Sequence, residues 1–115
     1  MGSGVHLYIS SLAPASADRM MAWKTAQAAY VTRSLALAGV LNSSLTHASV
    51  PVTMGRTAVP GLDSMACPAV ALEVAPVLAS SHSQPVALGD SNYQTQVANA
   101  LAAAIVRWRS EAPQP

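Results

Sequence analysis

The longest apolar stretch of the chain covers residues 67–78, where the sequence CPAVALEVAPVL carries a single charged side chain, Glu73. Apolar positions without alternation are typical of a strand that is covered on both faces, as in a parallel sheet. Pro68 suits the first position of a strand and Pro76 cannot donate a ladder hydrogen bond, so the pattern predicts a strand over 68–75. Glu73 then lies near the carboxyl end of a buried strand, where α/β proteins gather their ligands.

Two further segments have strand character. Residues 5–12 (VHLYISSL) are rich in β-branched and aromatic side chains and end at Ala13-Pro14, which predicts a strand. Residues 50–54 (VPVTM) predict a short strand, and the proline in it favours an edge position.

The apolar positions of residues 16–45 and 91–109 recur at three- and four-residue steps, which predicts helices. The first segment is expected to break or kink near residues 32–33. The second begins with Ser91-x-x-Gln94, the pattern of a capping box. Its apolar face consists of Tyr93, Val97, Leu101, Ala104 or Ile105, and Trp108.

The resulting order β-α-β-β-α predicts a small three-layer α/β domain with a mostly parallel sheet and helices packed on it. Strands 5–12 and 68–75 should be neighbours, and the last helix should pack on them through Tyr93, Val97 and Leu101. We expect one domain over residues 5–111, a leader added for expression over 1–4 and a tail over 112–115.

The composition of the chain limits the classes of binding partner that we expect. Charged residues make up 10% of the 115 positions, the formal net charge is +1, and hydrophobic residues reach 51%. This charge gives no reason to expect a nucleic acid, and no apolar run is long enough to predict a membrane span. The apolar surface and a strand close to the start favour a homo-oligomer through an exposed sheet edge. The single cysteine, Cys67, is expected to be a small buried side chain.

Three segments, in the same order, resemble the carboxyl-terminal half of the catalytic domain of zinc-dependent N-acetylmuramoyl-L-alanine amidases. Residues 68–73 (PAVALE) resemble a PAVLVE-type strand of that family, and residues 7–13 (LYISSLA) resemble its LFISIHAN strand. Residues 90–105, which contain DSNYQ, resemble its closing YQ-x-x-(I/V)A-x-AI helix. A fourth segment, residues 34–45, resembles its middle helix.

This resemblance implies a function linked to peptidoglycan hydrolysis, and a location in the cell envelope or periplasm. In the family, two histidines and a glutamate hold zinc, and a glutamate on the PAVLVE strand is the general base. Glu73 matches that base. The histidine of the family's LFISIHAN strand falls on Leu12, which cannot coordinate a metal. The family's other two ligands lie upstream of the matched segments, so the metal site is degenerate and we expect no zinc cofactor for this chain.

The sequence allows several interpretations of the roles of individual residues. Glu73 is either a structural carboxylate satisfied by a neighbouring loop or a catalytic group. A zinc site made of residues other than the family's ligands could use His6, His47, His82 and Glu73, although these histidines lack the spacing of known metal-binding motifs. His6 is expected to be a packed or edge side chain. A hydrolase could pair Ser10 or Ser11 with His82, without the sequence pattern of a nucleophile elbow.

The function expected from the sequence is therefore a partial or degenerate amidase-like domain that is inactive as this chain alone. The alternative is a non-catalytic module that binds the cell wall or another protein.

Overall fold

In the part of the chain that the structure describes, three strands and two long helices follow the order expected from the sequence, with two short helices added. The computed structural model describes residues 3–15, 23–80 and 84–111. The elements are β1 (Val5–Ser10), a 3-10 helix (Trp23–Tyr30), α1 (Val31–His47), β2 (Val52–Thr57), α2 (Pro60–Asp63), β3 (Ala71–Val74) and α3 (Ser91–Glu111). The result is a small α/β domain with one sheet.

The sheet is mixed, with the strand order β2-β1-β3. β1 runs parallel to β2 and antiparallel to β3, so the predicted mostly parallel sheet is wrong. The chain between β2 and β3 holds only the four-residue α2 and stays at the edge where β2 ends. Without a long helical crossover to carry it back, the chain enters β3 from that edge and runs in the opposite direction. The predicted pairing of the first and the 68–75 strands is confirmed.

β1 is the central strand, and its two faces differ in chemistry. The apolar side chains of Val5, Leu7 and Ile9 alternate with His6, Tyr8 and Ser10. Val5 and Leu7 belong to one hydrophobic cluster with the buried residues of α1 and α3. Side chains alternate across a strand, so His6, Tyr8 and Ser10 lie on the opposite face of the sheet.

α3 packs as predicted through Tyr93 and Val97, which are buried, and Leu101, which is partly buried against the same cluster. Ala100 and Ala104 complete the buried stripe, whereas Ile105 is 51% exposed. The small alanines bring α3 close to α1, and the Ser44 hydroxyl donates to the Ala100 carbonyl at 2.6 Å. Both long helices share one face of the sheet in the described part of the chain, so the predicted three-layer arrangement is not observed there.

β3 is shorter and more exposed than the sequence predicts. It covers four residues instead of 68–75, and the two central side chains, Leu72 and Glu73, are exposed. β3 is an edge strand, and the helices of the core leave its outer side open. Cys67, expected to be buried, is exposed in the loop before this strand. The uninterrupted apolar pattern therefore belongs to a loop and an edge strand, and not to a strand covered on both faces. Side chains of this loop and strand, together with α1 and α3, line an apolar groove.

The ends of the helices differ from the prediction in detail. The break in the first helical segment falls at Tyr30, which has φ of −120° and ψ of 3° and separates the 3-10 helix from α1. At α3 the cap is Asp90 instead of Ser91, because Asp90 Oδ1 accepts the backbone N–H of Tyr93 at 2.8 Å. An aspartate at this position satisfies one of the free N–H groups of the first turn.

Candidate functional site

Glu73, the predicted catalytic carboxylate, lies on the edge strand β3 and its side chain is exposed. Its direct cross-strand partner in β1 is His6, which is the second residue of that strand. Since β3 is antiparallel to β1, the carboxyl end of β3 meets the amino end of β1. Glu73 is therefore close to the amino edge of the two parallel strands, and not at their carboxyl edge as the sequence predicted.

Leu12, which occupies the position of a metal-binding histidine in the resembled family, lies beyond the other end of β1. Its N–H donates to Ser10 Oγ at 3.2 Å, and its carbonyl accepts from Arg56 Nη2 at 2.9 Å. His6 and Ser10 are four strand residues apart, about 13 Å at the usual strand rise. Glu73 and Leu12 are thus held at opposite ends of β1, and the fold does not bring these two positions together.

His6 is packed, as predicted, and only 7% of it is exposed. Its Nδ1 and Thr53 Oγ1 on β2 are 2.5 Å apart. Its Nε2 is buried and has no hydrogen-bond partner among the residues that the structure describes. Thr53, His6 and Glu73 form a row across the three strands, because their register places them side by side on one face. Of this row, the Glu73 carboxylate is exposed, whereas the His6 ring is buried between its neighbours.

The other histidines do not join this row. His47 ends α1 and is exposed, and His82 lies outside the described residues. Within residues 3–15, 23–80 and 84–111, no group of three or more His, Cys, Asp or Glu side chains is arranged to hold a metal ion. Of the four residues in the zinc site considered from the sequence, the structure brings together His6 and Glu73.

Ser10 is fully buried and has a structural partner. Its hydroxyl donates to Asp63 Oδ1 at 2.6 Å, and its carbonyl accepts two hydrogen bonds from Arg56, at 3.1 and 2.8 Å. A hydroxyl that is buried and bonded in this way cannot reach a substrate in this conformation. Ser11 is exposed, and the pairing of either serine with His82 falls outside the described residues.

The carboxyl edge of β1 and β2 holds a cavity that sequence reasoning missed. Its volume is about 310 Å³, and the described residues that line it are Trp23, Lys24, Pro60 and Asp63. Asp63 is fixed by Ser10, and the indole of Trp23 is 72% exposed beside it. The available sequence signal for Asp63 was its position as a carboxylate shortly after the predicted strand 50–54.

A buried polar network fixes the loop that leads into β3. Gln27 Nε2 donates to the carbonyls of Met65 and Cys67 at 2.6 and 2.8 Å, and Gln27 Oε1 accepts from Ser34 Oγ. Ser34 Oγ in turn accepts the N–H of Ala69 at 2.9 Å. Gln27 and Ser34 are both fully buried. In the sequence, Ser34 is a small polar residue within the apolar stripe of the first helical segment, which was the available signal for this network.

A hydrogen bond from α3 fixes the chain just after the end of β3. The hydroxyl of Tyr93 donates to the Ala75 carbonyl at 2.7 Å. Burial disfavours the phenolate and raises the pKa of Tyr93 above its ordinary value of 10.0. This tyrosine is therefore a neutral structural donor at physiological pH.

No protein-family model, curated protein or solved structure matches this chain. In the described part of the chain, none of the helices combines the length and the apolar character that crossing a bilayer requires.

Proposed function

We propose that this chain is a non-catalytic domain that binds peptidoglycan and has an amidase-like ancestry. The support for this ancestry is the ordered resemblance of three segments, of which two form the neighbouring strands β1 and β3. The third segment forms α3 and packs on the same core. A cell-envelope or periplasmic location belongs to the same proposal.

The observation that carries the non-catalytic assignment is the separation of Glu73 from Leu12. In a zinc amidase, the general base and the metal ligands must face the same water molecule. Here Glu73 lies beside His6, near the start of β1, whereas Leu12 follows the end of that strand. An amidase-like water could not contact both positions.

The chemistry of the two side chains supports binding over hydrolysis. A hydrolytic zinc requires about three protein ligands and an open position for water, and the side chain of Leu12 has no donor atom. Glu73 as a base without a metal contributes about 10²–10⁴-fold to a rate. Uncatalysed amide hydrolysis requires a much larger acceleration, since enzymes commonly supply about 10⁶-fold or more.

A second candidate is a partial amidase whose site is completed by another chain or segment. One observation favours it: the exposed carboxylate of Glu73 lies next to a histidine whose Nε2 has no partner in the described part of the chain. In that case Glu73 would remain the base, and the missing ligands would come from outside the chain.

Cosedimentation with purified insoluble peptidoglycan tests the proposed function. We expect the chain to pellet with peptidoglycan and to remain in solution with cellulose, a polymer of comparable insolubility without peptides or acetamido groups. Glu73→Gln should bind peptidoglycan equally well, because the proposed binding does not use a proton-accepting carboxylate at this position. A chain that stays in the supernatant with peptidoglycan at all accessible concentrations contradicts the proposal.

A further inference from the structure

The cavity at the carboxyl edge of β1 and β2 carries a further inference, which rests on the proposed function and specifies its ligand. We propose that the cavity formed by Trp23, Lys24, Pro60 and Asp63, named here the edge cavity, binds an N-acetylated saccharide. Its volume of about 310 Å³ is at the lower end of the range for small-molecule sites, which suits one or two sugar rings.

The location of the edge cavity in the fold supports ligand binding there. The edge cavity lies between the 3-10 helix and α2, and α2 follows β2 directly. In open α/β sheets, ligands bind in the crevice outside the carboxyl ends of the strands. β1 and β2 are the parallel pair of this sheet, and Ser10 and Thr57 are their last residues. The edge cavity is therefore in the place where this class of fold gathers ligands.

The apolar part of the edge cavity is formed by the rings of Trp23 and Pro60. The exposed fraction of Trp23 is 72%, which is large for tryptophan, the side chain with the most apolar surface. Pro60 contributes a second ring to the lining. The Lys24 ammonium is 5.8 Å from the centre of the Trp23 ring and interacts with it as a cation–π pair. The aliphatic face of a sugar ring can pack on such an indole and remove its apolar surface from water.

The polar part of the edge cavity is held in place from the core. Asp63 accepts the hydroxyl hydrogen of the fully buried Ser10, and the backbone carbonyl of Ser10 is in turn bound by Arg56. This contact uses one oxygen of the Asp63 carboxylate, which has further lone pairs for the hydroxyl groups of a ligand. The position of the carboxylate is thus set before a ligand arrives, which reduces the entropy cost of binding.

The charges in the edge cavity favour a neutral ligand. Lys24 and Asp63 contribute one positive and one negative charge, and they do not form an ion pair with each other in the described part of the chain. Both groups are therefore available to a ligand that both accepts and donates hydrogen bonds. An N-acetylated sugar offers hydroxyl donors to Asp63, a carbonyl acceptor to Lys24 and an apolar ring face to Trp23.

Titration of the full chain with tri-N-acetylchitotriose, followed by amide chemical shifts in NMR spectra, tests the proposal. We expect saturable shifts around the 3-10 helix and α2. Asp63→Asn retains an oxygen that can accept from Ser10 but loses the charge, and Trp23→Ala removes the ring. Each variant should weaken binding about 10-fold or more, since a charge-assisted hydrogen bond or a ring contact contributes roughly 1.5 kcal/mol. Trp23→Phe should restore much of the loss caused by Trp23→Ala.

Ile105→Ala is the matched control, because it removes exposed apolar surface from a separate groove that is lined by α1, α3 and the segment 65–72. It should leave the affinity for the trisaccharide unchanged. Undiminished trisaccharide binding by both Asp63→Asn and Trp23→Ala would overturn the assignment, as would the absence of saturable shifts in the unaltered chain. If the zwitterionic dipeptide alanyl-alanine causes chemical-shift changes of equal size, the ligand of the edge cavity is a peptide and not a saccharide.

Cosedimentation of the same variants separates this inference from the proposed function. If the unaltered chain, Asp63→Asn and Trp23→Ala all pellet equally with peptidoglycan, the edge cavity is not the binding site while the proposed function stands. If the unaltered chain does not pellet, the proposed function is wrong, and the trisaccharide titration alone decides whether the edge cavity binds a saccharide. Loss of pelleting in the two variants, with retention in Ile105→Ala, supports both.

Discussion

Gly4 precedes β1 with a φ of +81°, a backbone conformation that residues with a side chain rarely adopt. Its N–H donates to the Pro76 carbonyl at 3.2 Å, and its carbonyl accepts from the N–H of Ala75 at 2.8 Å. A Cβ atom at this position would lie 2.2 Å from the Pro51 carbonyl oxygen. Gly4 therefore allows the close approach of three chain segments at the amino end of the sheet.

Replacing Gly4 by alanine should lower the free energy of unfolding by about 2 kcal/mol or more, because the added Cβ combines backbone strain with a clash against backbone. Gly39→Ala is the matched control. Gly39 is exposed in α1, and a Cβ added there would have no atom within 4 Å outside its own helix turn, so alanine there should raise the free energy of unfolding by about 0.5–1 kcal/mol. Urea unfolding of the three proteins measures both changes, and an unchanged midpoint for Gly4→Ala would contradict the described backbone.

Tyr93 is the residue for which the structure predicts a pH dependence. Its pKa is raised in the folded state by burial, so the folded protein holds the phenolic proton more tightly than the unfolded chain does. The stability that this contributes is complete below pH 10 and is lost as the pH rises through the pKa of the folded state. Tyr93→Phe should make that alkaline decline less steep.

At neutral pH, Tyr93→Phe should lower the free energy of unfolding by about 1 kcal/mol, because it leaves the buried Ala75 carbonyl without the hydroxyl donor. Tyr30→Phe provides the control for loss of a tyrosine hydroxyl at a half-buried position. Denaturant unfolding at neutral pH and at several alkaline pH values gives both quantities. Equal alkaline declines in the unaltered chain and Tyr93→Phe would exclude the proposed role of burial.

At the scale of elements, the start of α3 distinguishes two capping arrangements. The sequence pattern predicts Ser91 as the cap, whereas Asp90 accepts the Tyr93 N–H in the structure. Asp90→Ala should therefore cost about 1 kcal/mol. Ser91→Ala should change stability by less than about 0.5 kcal/mol, as expected for an exposed side chain away from specific contacts. Thermal unfolding of the two variants decides between them, and the reverse ranking would restore the capping box.

The periodicity of the sequence predicted the type and order of most elements, but not the direction of β3. The apolar stripe of α3 was predictable because helical spacing places Tyr93, Val97 and Leu101 on one face. The unbroken apolar run of residues 67–78 was interpreted as a strand of a parallel sheet covered on both faces, but a loop followed by a short edge strand produces the same run. Because the direction of β3 determines which edge Glu73 reaches, the misplaced carboxylate follows from a single error in topology.

The candidate site was less predictable than the fold. Ser10, Arg56 and Asp63 are separated by 46 and 7 positions in sequence, and their contacts exist only once β1, β2 and α2 are assembled. No local pattern identifies such a cluster. The packing of His6, by contrast, was predictable, because a single histidine in a strand is more often packed than a metal ligand.

At the scale of the whole molecule, the two ends of β1 have different chemistry. The amino end places His6 beside Glu73, and the carboxyl end holds Ser10 and Asp63 next to the edge cavity. The further inference proposes that the ligand binds at the carboxyl end. The proposed function assigns no reaction to Glu73 in this chain alone, because the fold separates this carboxylate from Leu12.

Release of soluble peptides from purified peptidoglycan, with zinc added, tests this claim most directly. The account predicts that the unaltered chain and Glu73→Gln release no more peptide than buffer does, and that both remain bound to the polymer. Zinc-dependent release by the unaltered chain, abolished in Glu73→Gln, would contradict the account and make this chain an active amidase with Glu73 as its base.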